Sequence, residues 1–245
     1  MKKIALFSVL ASSLAFGLSD NDVLSLYQDI IKQGASVKIV EKSTLPGSKI
    51  EQRIIEIKMG DASKKDIVFS DDKFVFADVI DPKTMTSYYN QFEEKQTKEM
   101  QTQGRKNLAN LLKTYDKSKI VNLGNDKAKK SVFVFTDPLC PYCRMALNQI
   151  EEQLKNSNLK LIFTPIPSHG EEAVAKSLAI LKEIKTAKND KDKIAILRKY
   201  YDEKAPMPKN ITKSQIENET KIIAKFFQTG AISGVPAYIE ENDLK

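Results

Sequence analysis

Apolar and polar positions follow several distinct patterns along the chain. Ile4 to Phe16 is an apolar and small-residue run behind Met1-Lys2-Lys3. It is too short to span a bilayer, and small residues at Ala15, Gly17 and Ser19 suit cleavage, so residues 1–19 read as a secretory signal peptide. Val23, Tyr27, Ile30 and Ile31 then share a helical face, with Asp20 or Asn21 to cap it and Gly34 to end it, which predicts a helix over 20–34. Strand-like runs follow at 36–41, 50–58, 66–70 and 74–79, separated by turns at Leu45-Pro46-Gly47-Ser48 and Asp71-Asp72-Lys73. Residues 86–117 are rich in Gln, Glu, Lys and Asn with thinly placed apolar residues, and predict a long, mostly exposed helix bridging two domains. Gly104 in its middle costs about 1 kcal/mol relative to Ala, and is either a flex point or simply tolerated.

Val132 to Phe135 is an apolar, β-branched and aromatic run that ends at Asp137-Pro138. Met145, Leu147, Ile150 and Leu154 continue as a helix, and Leu159 to Pro165 predicts a neighbouring strand. Ser168-His169-Gly170-Glu171 has the spacing of a capping box at the start of the next helix, which carries Val174, Leu178, Ile180 and Leu181. Residues 185–229 predict two charged amphipathic helices broken at Pro206-Met207-Pro208. Their apolar faces, Ile194, Leu197 and Tyr201 in one and Ile222, Ile223, Phe226 and Phe227 in the other, read as core.

The formal net charge of the 245 residues is +7, and loss of residues 1–19 removes Lys2 and Lys3 and no acid, leaving +5. The charge is spread out, with no basic patch interleaved with aromatics, so nothing points to nucleic acid. The 226 residues that remain allow one or two domains, and two cysteines in a chain of this size leave the fold to its core rather than to disulfides. The resulting division is 20–85 as a small α+β domain, 86–117 as the linker helix and 118–245 as a second domain. A unit of about 65 residues is near the lower limit for an independent core, which favours pairing with a second copy.

The two cysteines, Cys140-Pro141-Tyr142-Cys143, stand where the buried strand hands over to a helix. Pro141 fits the first helical position, where its missing N–H would have no partner anyway. That makes Cys140 the N-cap and sets Cys143 in the first turn. Unpaired amides and the helix dipole favour negative charge there, and the thiolate is the nucleophile. Cys143 is placed to close a disulfide and release a mixed-disulfide partner. A closed zinc site needs four ligands, whereas these are the only cysteines and His169 is the only histidine. A structural disulfide across two residues would restrain the unfolded chain little. Redox chemistry without metal or cofactor is the expectation, with zinc binding as an alternative. His169 reads as a cap-turn residue rather than a ligand or base.

Gly234-Val235-Pro236-Ala237-Tyr238-Ile239 completes the pattern. Strand, CPYC, helix, strand, helical insertion and Gly-Val-Pro before a strand resemble a thioredoxin fold. Phe135-Thr136-Asp137-Pro138 ahead of the cysteines, and the order of small domain, bridging helix and redox domain, resemble the DsbC/DsbG family of periplasmic disulfide isomerases. The resemblance covers essentially the whole mature chain. It implies an α+β architecture with a cystatin-like N-terminal dimerisation domain, a V-shaped homodimer, and Pro236 as a cis-proline facing the disulfide. It also implies a periplasmic location, and as partners unfolded or misoxidised exported proteins and a membrane thiol–disulfide protein that resets the couple. Two positions depart from the family. Val235 stands where these isomerases usually have Thr, a choice typical of DsbA-like oxidases. After Ile239 only six residues remain, so the closing edge strand and helix are expected to be missing.

The expected catalytic residues are therefore Cys140 as the exposed attacking sulfur, Cys143 as the buried resolving thiol, and Pro236 and Val235 beside them. Asp137 either relays a proton for Cys143 or forms an Asx turn before Pro138. Tyr142 offers no positive charge to a thiolate, which predicts a less oxidising couple than a His there would give. Disulfide isomerisation is the leading expectation. Dithiol oxidation on the same dimeric scaffold, and a dimeric holdase with a secondary redox role, are its alternatives.

Overall fold

The computed structural model describes residues 17–60 and 62–244. Most of the expected signal peptide therefore lies outside the described residues. The chain divides between Thr97 and Lys98 into two compact units.

In the first unit, α1 (Asp20–Leu24) and α2 (Gln28–Lys32) are separated by a 3-10 turn, Ser25–Tyr27. The expected single helix is interrupted because Ser25 Oγ donates to the Asp22 carbonyl at 2.6 Å, competing with the helical ladder. Its cap is Ser19, not Asp20 or Asn21. The Ser19 hydroxyl accepts from the Asp22 N–H at 3.2 Å while the Asp22 carboxylate accepts from the Ser19 N–H at 3.0 Å. Strands β1 (Ser36–Thr44), β2 (Glu51–Met59), β3 (Ala62–Ser70) and β4 (Val75–Phe76) form an antiparallel sheet in that order. The last expected strand is cut short at β4, and β5 (Ile80–Asp81) pairs instead with β6 (Thr86–Ser87). Alternation along β2 and β3 sends Ile55 and Val68 to one face, with Val23 of α1. Ile67 and Phe69 go to the other face, with Leu45 and Phe92. Arg53 is fully buried, and each of its three guanidinium nitrogens has a partner: it donates to Asp20 (2.9 Å), Glu51 (2.5 Å), the Ser70 hydroxyl (2.6 Å) and the Leu18 carbonyl (2.7 Å). Leu18 and Ser19, which the sequence pattern assigns to the leader, are thus built into this unit.

Helix α3 (Tyr88–Thr114) runs without interruption across the division. It is less exposed than its composition suggests, because Leu108, Leu112 and the following Tyr115 are buried in the second unit. Gly104 is neither a flex point nor merely tolerated. A Cβ there would lie 2.7 Å from the Gly230 carbonyl carbon and 2.8 Å from the Ala231 nitrogen, so glycine is what lets α3 lie against that backbone.

The second unit is built on a mixed sheet of β7 (Val121–Leu123), β8 (Lys130–Thr136), β9 (Ser157–Phe163) and β10 (Ala237–Glu240), in the order β10-β8-β9-β7. β8 and β9 are parallel, joined by α4 (Pro141–Asn148) and α5 (Ile150–Asn156); β7 and β10 run antiparallel to their neighbours. Between β9 and β10 lie α6 (Gly170–Glu183), α7 (Asp190–Tyr201) and α8 (Lys213–Gln228). β8 is buried on both faces. Val132 and Val134 enter one core with Cys143, Leu147, Ile180 and Tyr201, while Phe133 and Phe135 enter another with Leu108, Leu112, Phe226 and Ile239. Among the described residues only a 3-10 turn, Glu241–Leu244, follows β10. The sheet face that carries Phe133 and Phe135 is covered by the end of α3 and by α8, with Tyr115 packed edge-on to Phe226 at 5.0 Å.

Candidate redox site

β8 ends at Thr136, and a short turn leads into α4 with Cys140 at its N-cap and Pro141 at its first position. The Cys140 N–H closes this turn on the Asp137 carbonyl at 3.1 Å. Both cysteines are free thiols. Cys140 is not the exposed sulfur that its N-cap position suggests. It is 5% exposed, against 1% for Cys143, because the loop before β10 lies over it. The Val235–Pro236 bond in that loop is cis, and the Val235 carbonyl accepts from the Cys140 thiol at 3.5 Å.

Burial pushes the Cys143 thiol up to about 12. The Thr136 hydroxyl and the Asp137 main-chain N–H, both directed at the sulfur, act in the opposite sense, and the neighbouring Cys140 adds to the rise. Thr136 in turn shares a buried 2.8 Å hydrogen bond with the Tyr201 hydroxyl. Burial holds Tyr201 well above the usual phenol range. Arg144, in the first turns of α4, donates to the Tyr201 carbonyl at 2.8 Å and also pairs with Glu203, fastening α7 to the cysteine helix.

Asp137 is fully buried. One carboxylate oxygen accepts from the Leu139 N–H at 2.8 Å, which is the expected Asx turn. The other accepts from the Ile166 N–H at 3.0 Å and is 2.7 Å from His169 Nδ1. The capping box expected at Ser168 to Glu171 does not form; His169 stands at the N-cap with no side-chain cap. Gly170 adopts φ +63° and ψ −157°, a combination open essentially to glycine, and α6 begins there while the imidazole turns to Asp137. The structure therefore brings Cys140, Cys143, Asp137 and Val235 together, and adds Thr136, Tyr201 and His169. Thr136 stands in the Phe135-Thr136-Asp137-Pro138 lead-in that carries the resemblance, though its contact with Tyr201 is not legible there, and Tyr201 reads only as a core-helix position. The His-Gly step after a Pro-rich turn was the available signal for the third.

Two large side chains next to the cysteines in sequence are exposed. Tyr142 and Met145 are 70% and 63% exposed, and Tyr238 lines the same hollow as Cys143 and Tyr201. A separate 900 Å³ cleft lies between α6, α7 and the Pro206-Met207-Pro208 segment, and none of the site residues line it. Among the described residues no group of three or more His, Cys, Asp or Glu could hold a metal ion, and no helix is long and apolar enough to cross a membrane.

The thioredoxin family profile matches residues 115–241, just over half of the chain, and the chain belongs to that family. Helicobacter pylori DsbG is similar in structure, with 18% identity and a TM-score of 0.50 over 90% of this chain and 100% of that one. A linker-deleted mutant of Proteus mirabilis ScsC is 22% identical, with a TM-score of 0.46 over 61% of this chain and 78% of its own. The Neisseria gonorrhoeae disulfide interchange protein is 18% identical, with a TM-score of 0.36 over 51% and 81%. At these identities the likeness concerns the fold. No curated protein matches.

Proposed function

We propose that the chain exchanges disulfides with exported proteins through Cys140 and Cys143. The observation that carries this reading is Cys140 at the start of α4, hydrogen-bonded to the Val235 carbonyl, with Cys143 buried in the next turn. In the reducing direction, the Cys140 thiolate attacks one sulfur of a substrate disulfide. A Cys140–substrate bond forms and the other substrate sulfur leaves as a thiolate. Cys143, its proton lost to solvent, then attacks Cys140 Sγ; the Cys140–Cys143 bond forms and the second substrate thiolate departs with the electron pair. Oxidation is the same sequence reversed, and isomerisation returns the mixed disulfide to another substrate thiol. Tyr142, Met145 and Tyr238 offer an apolar rim to an unfolded chain. The Val235 carbonyl is the main-chain acceptor beside it.

Isomerisation in the periplasm is the reading we favour, with the first unit pairing two copies and a membrane partner resetting the thiols. Val235 favours a second reading, dithiol oxidation. Rescue of a scrambled substrate and oxidation of a reduced one, compared for wild type and Cys140→Ser, test the chemistry and should both be lost in the variant; a protein that only suppresses aggregation, equally well with and without Cys140, would be a holdase. Thiol trapping in cells gives the direction: mostly reduced cysteines mean isomerase or reductase, mostly oxidised ones an oxidase. Light scattering showing a monomer at micromolar concentration would remove the paired-cleft arrangement.

A further inference from the structure

The exchange chemistry above uses the two sulfurs and leaves the histidine beside them without a task. His169 is the only histidine of the chain. Its Nδ1 meets Asp137 Oδ2 at 2.7 Å, and the other hydrogen bonds to that carboxylate come from the main chain of Leu139 and Ile166. A carboxylate in this setting is an acceptor, so Nδ1 carries the proton and Nε2 is free to take a second one. The imidazole is 24% exposed, which gives solvent access to it, while the carboxylate is sealed. Asp137 also holds both cysteines by its main chain, its N–H on the Cys143 sulfur and its carbonyl on the Cys140 N–H.

We propose that His169 is a positioning residue of the exchange site, acting through Asp137 so that its protonation state sets how fast Cys143 attacks a mixed disulfide on Cys140. The inference rests on the exchange reading and adds a control to it. With neutral His169 the pair carries one buried negative charge beside the sulfurs, which opposes a thiolate on Cys143. With protonated His169 the pair is neutral and that opposition is removed. The other titratable and charged groups on the elements that carry the site are Cys140, Cys143 and Arg144 on α4, Tyr201 on α7 and, in the first turns of α6, Glu171, Glu172 and Lys176. Arg144 is paired with Glu203, Glu172 lies 3.0 Å from Lys176, and Tyr201 is held well above its usual range. Of these side-chain types, imidazole is the one that ordinarily titrates between about pH 5 and 8.

The test uses dithiobis(nitrobenzoate) on the reduced full chain. In the first phase Cys140 attacks the reagent disulfide, becomes bonded to one aryl sulfur, and releases the other as a coloured thiolate. In the second, Cys143 gives its proton to solvent and attacks Cys140 Sγ; the internal disulfide forms and the second aryl thiolate leaves with the electron pair. The rate of the second phase is followed from about pH 5 to about pH 9 in wild type, His169→Asn, His169→Gln and His169→Ala. Asn keeps a donor where Nδ1 stands but does not titrate; Gln is measured alongside it in case one variant folds poorly. The wild-type rate should show a shallow step in the imidazole range that all three variants lack. The wild-type-to-Asn ratio should grow on the order of tenfold from the alkaline to the acid end, one unit of charge interaction. A uniform slowing at every pH, or superimposable profiles, would overturn the proposal and leave His169 a structural residue. Absence of any second phase in wild type would instead refute the exchange reading on which it rests.

Discussion

The Tyr201 hydroxyl and the Thr136 hydroxyl share a 2.8 Å hydrogen bond in the core beneath Cys143, and Thr136 reaches on to the sulfur. The two hydroxyls are separable by substitution. Thr136→Val keeps the shape, removes the donor to Cys143 and leaves the Tyr201 hydroxyl without its partner, at a cost of about 1–3 kcal/mol. Tyr201→Phe leaves Thr136 on the sulfur and costs about 1 kcal/mol. Both should lower the denaturation midpoint. Only Thr136→Val should push the Cys143 thiol further up and slow release of a mixed disulfide at neutral pH, as read in the second phase of thiol release.

Burial of Cys143 makes the stability of the reduced protein depend on alkaline pH. Its folded value, about 12, stands above the free-thiol value of 9.0. Below the unfolded value both states hold the proton and the full contribution is present. Between the two values the unfolded chain releases the proton and the folded chain keeps it, so the unfolded state binds fewer protons and stability falls as pH rises. Denaturant unfolding of the reduced protein from about pH 8 to about pH 10 should show this loss. The buried tyrosines contribute in the same direction, so the diagnostic is the difference from Cys143→Ala, which should lose less over that interval. Equal slopes would mean that Cys143 ionises in the folded state as readily as in the unfolded one.

Gly104→Ala sets two effects against each other. Helix propensity favours Ala by about 1 kcal/mol. The new Cβ would meet the backbone of Gly230 and Ala231 at 2.7–2.8 Å, and such overpacking typically costs about 1–3 kcal/mol. The contact is with backbone, which yields poorly, so net destabilisation of the second unit is expected. A variant stabilised by the full propensity difference would show that α3 does not bear on that segment.

Arg53 closes the first unit from within, and Arg53→Met should unfold it at lower denaturant. Removing one partner of a buried pair typically costs about 3–5 kcal/mol; Asp20 is about half exposed and can rehydrate, which places the expected loss near the lower figure. The Arg53 guanidinium is also the first cause of the lowered Asp20 carboxyl, so the same variant should return Asp20 toward the ordinary carboxylate range. Carboxyl titration by NMR reads this separately from stability.

The elements with strong periodicity were legible in the chain. β8 and the paired helices around Pro206 stand where the apolar pattern and punctuation predict them, because each buries a face that its own residues define; the helix after Pro141 begins where expected but breaks at Gln149 into α4 and α5, and Met145 of its expected apolar face is exposed. What periodicity could not show was contact between distant segments. Gly104 looked like a weak point in a polar helix, and only the backbone lying against it explains the missing side chain. His169 looked like a capping residue because Ser168 and Glu171 have the right spacing, yet its partner is 32 residues away in sequence. The burial of Cys140 was likewise hidden, since it comes from the loop at Val235, 95 residues on.

β8 belongs to two cores at once and is paired along both edges, whereas β10 is a four-residue strand with a single neighbour, β8. The two walls of the cysteine cleft therefore differ in compliance. On the β8 side, amides should be among the last to exchange with deuterium, since freeing them requires both cores to open. On the Val235 side, the edge strand has a single ladder to give up, and its buried Ile239, with Ile232 of the lead-in loop, ties it to the Phe133 and Phe135 core. If the chain exchanges disulfides as proposed, a docking segment would meet a wall anchored in both cores on the β8 side and, on the β10 side, a wall held by a single ladder with its buried residues in one core.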